Sequence, residues 1–224
     1  MKLLSNIVLS HLVEESEAEA VYIDTLGTYN PNLLLSLLTR YEADKDILER
    51  IHLMTAFDMI SLIETCEKIK ATLEERNKSI RILVIDTIAN PISLLMNKGQ
   101  LQGPPHIPLT PNHNPSGGYL TIGHALMQSF THLLRLMTQE YGLVTLLVNT
   151  AVKTEAMGQS AFMDTRIKPA LGVTWSFCAD TCVLMHRSLG EESIIVEVIR
   201  SRNRESGWTW IEPKSFTFGE GEGV

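Results

Sequence analysis

A chain of 224 residues holds one substantial α/β domain and is too short for two ordinary ones joined by a linker. Apolar residues make up 44% and charged residues 20%, the balance of a soluble globular protein, and a net charge of −7 argues against a general polyanion binder. The longest apolar runs, residues 82–85 and 143–148, are far shorter than a membrane span. The apolar start of the chain runs into the acids of residues 14–19 with no small-residue cleavage site, which argues against a secretory signal.

The period of the apolar residues changes repeatedly along the chain. Leu3, Leu4, Ile7, Val8 and Leu12 form a helical stripe over residues 2–13. A short apolar run over 20–25 contains Asp24. Residues 32–40 read as helix after Pro31, which suits a first helical turn. Residues 51–57 read as a strand, and Asp58 is then an N-cap for an amphipathic helix reaching Arg76. Residues 81–86 form a strand of the fully buried kind, ending in Asp86. Residues 119–141 form a long helix that Gly142 stops, and 143–149 form another buried strand. Strands alternating with helices imply a mostly parallel sheet covered on both faces. The last third differs. Strands over 180–186, 193–200 and 208–211, separated by turn signals, should pair antiparallel. Residues 97–118 hold five of the nine prolines and four glycines, and read as an irregular surface excursion. No internal repeat appears, and the whole chain, 1–224, is expected to be one domain.

Three cysteines, Cys66, Cys178 and Cys182, give no paired framework and read as reduced core thiols. Cys178 and Cys182 would share a face if their segment is extended. His106 and His113 have no acids or cysteines clustered with them, so no metal site is expected.

The chemistry sits on two acids. Asp24 and Asp86 each close an apolar strand, and ligands of open parallel sheets bind beyond the strands' carboxyl ends. An apolar strand followed by Asp has the character of a Walker B site, where a rigidly held carboxylate orients the magnesium of a nucleotide. Its partner is missing. No Gly-Lys pair occurs, so the backbone amides, lysine and hydroxyl that cradle a triphosphate are absent. No cofactor is therefore expected on this chain.

Five segments carry a resemblance to RecA-like recombinases. Tyr22-Ile23-Asp24-Thr25-Leu26-Gly27-Thr28-Tyr29 is similar to the family's Tyr-Ile-Asp-Thr-Glu-Gly-Thr-Phe segment. Leu83-Val84-Ile85-Asp86-Thr87 resembles its Walker B strand, and Tyr141-Gly142-Leu143-Val144 onward to Val148-Asn149 the strand before its second DNA-binding loop. Arg50-Ile51-His52 with Ala56-Phe57-Asp58, and Lys168-Pro169-Ala170-Leu171-Gly172 with Trp175-Ser176-Phe177, resemble the D-type paralogue of the eukaryotic strand-exchange recombinase. The likeness runs to about position 200. It implies a RecA-like P-loop NTPase core, α/β, with Asp86, Asp24 and Asn149 as the remnant of the nucleotide and magnesium site.

The departures bear on activity. The resemblance puts the family's water-activating glutamate at position 26, where this chain has Leu, which cannot take a proton. The family's glutamine after Asn149 is Thr150. The strand and P-loop that the family places inside the sheet would precede Met1, so a truncated product is expected. ATP and magnesium would bind only with that missing part. The first helix would then have little to pack against, and the chain alone would be unstable. The implied DNA loops map to residues 90–118 and 151–168; Lys153, Arg166 and Lys168 in the second are the candidate contacts to single-stranded DNA, balanced by Glu155 and Asp164. A second basic stripe, Arg200, Arg202 and Arg204, is a weaker candidate. The resemblance implies a nuclear, membrane-free role in homologous recombination and DNA repair. The subunit would join other paralogues, as in Shu-type assemblies, bind single-stranded DNA with them and assist recombinase filament assembly without hydrolysing ATP. The alternative is a DNA-dependent ATPase whose Walker A motif lies upstream.

Overall fold

β1 (Glu19–Asp24) and β3 (Ile80–Asp86) are apolar almost throughout, and apolar strands of this kind are stable only where both faces are covered. In the computed structural model they lie side by side at the centre of a parallel sheet of order β2-β1-β3-β4, with β2 spanning Ile51–Thr55 and β4 Val144–Leu147. The structure describes residues 2–41, 44–75, 79–98, 115–153, 167–171, 175, 178–187, 194–202 and 207–211. The chain divides into two compact units, Met1–Asn149 and Thr150–Val224.

In the first unit, helices flank the sheet in two groups. α1 (Lys2–Glu14) packs on α2 (Pro31–Tyr41) and on β1, and α3 (Met59–Glu75) packs on α4 (Ala89–Lys98) and α5 (Pro115–Tyr141). The α3 stripe Leu62, Cys66, Ile69, Leu73 follows the helical period and is fully buried. From α5, Met127, Phe130, Leu134 and Met137 complete that core. Both helix signals in the sequence hold. Asp58 Oδ1 accepts the backbone N–H groups of Ile60 and Ser61, each at 2.9 Å, and Gly142 closes α5 at φ +68°.

Several expectations are corrected. The first helix is not short of partners: Val8, Leu9 and Leu12 are buried, with Leu34, Leu37 and Leu38 of α2 making up the facing stripe. Residues 97–98 end α4 and 115–118 begin α5, so both ends of the segment expected to be irregular are helical, with Pro115 at a first-turn position. Residues 99–114 lie outside the described residues, His106 and His113 among them. β4 is not fully buried. It closes the described sheet, leaving Val144 52% exposed and Leu146, Leu147 and Val148 half-buried. A 3₁₀ helix over Lys45–Arg50, short and without a clear period, leads into β2.

The second unit is antiparallel. β5 (Ala151–Lys153) pairs with β6 (Ile167–Pro169), and β7 (Thr181–Arg187), β8 (Ile194–Ser201) and β9 (Gly207–Ile211) form a three-stranded meander, as the turn signals require. All three cysteines are free. Burial pushes Cys66 up to about 12 and raises Cys182, against which Arg200 acts. Cys178 sits in a turn before β7, so it does not share an extended segment with Cys182.

Arg50 ties the first unit together. Its guanidinium donates to the carbonyls of Leu12 (2.7 Å), Glu15 (2.9 Å) and Ala18 (2.9 Å), bridging the end of α1, the following turn and the start of β2. His52 Nε2 meets Glu19 Oε2 at 2.7 Å two residues further on. Arg50→Ala should lower stability by about 2 kcal/mol, because charged donors are lost at once from three carbonyls in the last turn of α1 and the segment after it. That corresponds to a fall of roughly 4–8 °C in a thermal melt. Arg50→Lys should recover little, since one ammonium lacks the planar fork that reaches three diverging carbonyls.

Candidate functional site

Parallel register brings the two strand-ending acids together. Asp24 pairs with Asp86 across β1 and β3, and period-2 alternation puts Tyr22 on the same face as Asp24. β4 is next to β3, so Asn149, just past its end, belongs to the same carboxyl edge. The three remnant positions Asp24, Asp86 and Asn149 are therefore neighbours at one end of the sheet.

Asp24 is 3% exposed. Its Oδ1 accepts the backbone N–H groups of Leu26 and Gly27, both at 2.9 Å, and its Oδ2 accepts that of Tyr29 at 2.7 Å. The chain after β1 thus curls around the carboxylate, a turn that needs Gly27 at φ +70°. Alanine there would have room, with the Phe57 ring 3.8 Å from its Cβ, so the backbone angle is what calls for glycine.

Asp86 is held differently. The Tyr22 hydroxyl donates to Asp86 Oδ2 at 2.5 Å. Burial raises the Tyr22 pKa well above that of a free phenol, and the hydrogen bond to Asp86 and the charges of Asp86 and Asp24 push the same way. The Tyr29 ring lies 5.0 Å from that of Tyr22 at 58°, and burial raises its pKa too. Behind the acids, buried Thr25 joins the strands. Its Oγ1 donates to the Thr87 carbonyl (2.7 Å) and accepts the Thr87 N–H (2.8 Å), while Asn90 Nδ2 donates to the Thr25 carbonyl (3.1 Å). The Asp86–Thr87 peptide is cis. Leu26 points outward, 48% exposed, with Phe57 at 54% and Ile60 at 66% at the same end of the sheet.

These residues do not fit a directly coordinated magnesium. Both oxygens of Asp24 are taken by backbone amides, Oδ2 of Asp86 by Tyr22, and the Thr25 hydroxyl by Thr87, which leaves Asp86 Oδ1 as the remaining carboxylate oxygen of the pair, too few for an oxygen ligand set from these residues. The arrangement joins strands and orders a turn.

The DNA candidates fall in the second unit. Lys153 is exposed on β5 and in register with Ile167, whereas Lys168 on β6 is in register with Val152. The ends of the segment mapped as a loop are thus a two-stranded ribbon, with the lysines one position out of step. Arg166 lies outside the described residues, as does Arg204. Two arginines of the weaker stripe are already engaged: Arg202 pairs with Asp180 at 3.1 Å and Arg200 Nη1 donates to the Ala179 carbonyl at 3.4 Å. Trp175 is buried, and the Ala170 N–H bonds the Thr150 carbonyl at 2.8 Å. Two of the quoted motif segments therefore have packing or pairing roles.

The Rad51 family model matches residues 4–97, from α1 into α4, a stretch that contains Asp24, Leu26 and Asp86. DNA repair protein rdl1 of Schizosaccharomyces pombe is 28% identical over 160 residues, 71% of this chain and 54% of the relative. The chain is similar to RAD51-family proteins. DNA repair protein RAD51 homolog 4 aligns from Bos taurus at 22% identity over 84% of this chain and 52% of the relative, and from Mus musculus at 20% over 80% and 48%. The chain spans about half the length of these curated relatives.

Sequence reasoning found the acids and missed their partners. Tyr22 was legible only as an apolar strand residue, because its tie to Asp86 depends on a register that no local pattern specifies. Asn90 was hidden by assigning its segment to a loop.

Asp24→Ala should destabilise the first unit by about 3 kcal/mol or more, since three N–H groups around a buried site lose their acceptor. Asp24→Asn should cost less than Ala yet remain clearly destabilising, because its amide nitrogen would face the Tyr29 N–H. Urea unfolding followed by far-UV circular dichroism reads both.

Proposed function

We propose that this chain is a non-hydrolysing subunit of a nuclear recombinase-paralogue assembly in homologous recombination and DNA repair. It binds single-stranded DNA together with partner paralogues and assists recombinase filament assembly. The observation that carries the reading is Leu26, an exposed aliphatic side chain at the position the resemblance assigns to the water-activating acid, beside an Asp24 whose carboxylate is spent on backbone amides. Homology to proteins named for DNA repair supports the pathway. The half-buried apolar side chains of β4 support further polypeptide against that edge, from a partner or from more of the same protein. Among the described residues no helix is long and apolar enough to cross a membrane.

DNA-stimulated ATP hydrolysis by the purified chain should be negligible, since losing such groups removes several orders of magnitude in rate. Turnover abolished by Asp86→Ala would instead support the alternative, a DNA-dependent ATPase.

Lys153, Arg166 and Lys168 are the proposed phosphate contacts. Each such contact on a single strand adds about 0.7 to the slope of log affinity against log salt, so replacing all three with Ala in the assembled complex should flatten it by up to about 2, whatever the base sequence. Replacing Arg200, Arg202 and Arg204 should leave the slope unchanged. The reverse pattern would move the DNA to the other basic stripe, and no change in either would move it to the partner.

A further inference from the structure

Two carboxylates in register on neighbouring parallel strands sit about 4.8 Å apart at the backbone, close enough for their charges to repel and for a divalent cation to be drawn between them. Asp24 and Asp86 are such a pair. Each is instead satisfied from within the chain, Asp24 by the amides of Leu26, Gly27 and Tyr29, and Asp86 by the hydroxyl of Tyr22. The two solutions differ in kind. The amides belong to the turn that Asp24 itself organises, so they cannot leave without unfolding it. The hydroxyl is a single removable group.

We propose that Tyr22 is a positioning residue that sets the cation response of this strand end: its hydroxyl occupies Asp86 Oδ2, and keeps that carboxylate from binding a cation beside the already engaged Asp24. The geometry behind this is a buried ring, 4% exposed, fixed by its strand and by the Tyr29 ring, and delivering one O–H to Oδ2. A hydrogen bond to a charged acceptor in a partly buried setting is about twice as strong as a neutral one, so a cation must displace it as well as shed its own water. The inference deepens the non-hydrolysing reading and rests on it. It explains how an acid with Walker B character persists at a strand end without a metal-dependent role.

The test uses the chain in nucleotide-free buffer with Mn²⁺ as the probe. Binding is read by water-proton relaxation, and thermal melting is compared in EDTA and in millimolar Mn²⁺. Wild type and Asp86→Asn should give the same weak, non-specific relaxation and the same melting temperature with and without metal. Tyr22→Phe should melt lower than wild type in EDTA, recover part of the loss on adding Mn²⁺, and bind Mn²⁺ at least tenfold more tightly. Tyr22→Phe/Asp86→Asn should lose that gain. A Tyr22→Phe variant that loses stability but shows no Mn²⁺ response would leave the hydroxyl a structural clamp alone and overturn the proposal. Tight Mn²⁺ binding by wild type that Asp86→Asn abolishes would overturn it too, and that comparison stands even if Tyr22→Phe fails to fold. ATP turnover is measured separately, so its appearance would remove the functional reading without altering the Mn²⁺ result.

Discussion

Placing Asp24 and Asp86 side by side at the ends of two central strands is the constraint around which the first unit is arranged. Burial on β1 leaves Asp24 almost without water, and a buried charge must be hydrogen-bonded or neutralised. The chain meets that demand with three consecutive features: a tight turn, a left-handed glycine and a returning aromatic, Tyr29, whose amide closes the cradle. The conformation of residues 25–29 therefore follows from one carboxylate. Asp86, less buried, is satisfied from the neighbouring strand by Tyr22, which makes the β1–β3 register and the local chemistry inseparable. A one-residue slip would send Tyr22 to the opposite face and leave Asp86 without its donor.

Much of the fold was readable from residues, for reasons that can be named. β1 and β3 announce themselves because strands buried on both faces can carry almost no polar residues, and α3 because Leu62, Cys66, Ile69 and Leu73 repeat at the helical period. Asp58 and Gly142 mark a start and a stop through backbone groups that a helix end leaves unpaired. The failures are equally local. α4 was hidden because Asn90 and Pro91 are loop-rich residues, although proline is at home in a helix's first turn. β4 looked buried because its composition resembles that of β3. Composition records what a strand can tolerate, whereas its position at the margin of the sheet decides what covers it. The β5–β6 ribbon, three residues on each side, is too short to show a period at all.

The site was legible in a different way. Its acids follow from strand ends, and the resemblance supplied the position of the missing glutamate. Neither reveals what the acids do here. The roles of Tyr22, Thr25, Thr87 and Asn90 emerge only when β1 and β3 are paired, because each bond crosses more than sixty residues of sequence. Asp24 illustrates the difference: the same residue at the same strand end can ligate a metal or organise a turn, and the count of amides around its oxygens decides between them.

The character of the surface around position 26 carries the functional reading one step further. Activating a water requires a group that can hold it and accept its proton, in a site whose polar groups converge. Leu26, Phe57 and Ile60 bring the opposite, three large apolar side chains each about half exposed or more at the carboxyl end of the sheet. Exposed apolar side chains grouped together weaken solubility unless something covers them, whereas singly scattered ones need no explanation. Leu26 and Phe57 follow adjacent strands, Phe57 lies against Gly27, and Ile60 is in the first turn of the helix that Asp58 caps, so Leu26 and Phe57 border the turn that encloses Asp24. A strand end that encloses its acid and presents hydrocarbon is poorly suited to hydrolysis and better suited to contact with another surface. That is the physical sense of the proposed reading, in which the sheet of an ATPase-like core would serve assembly.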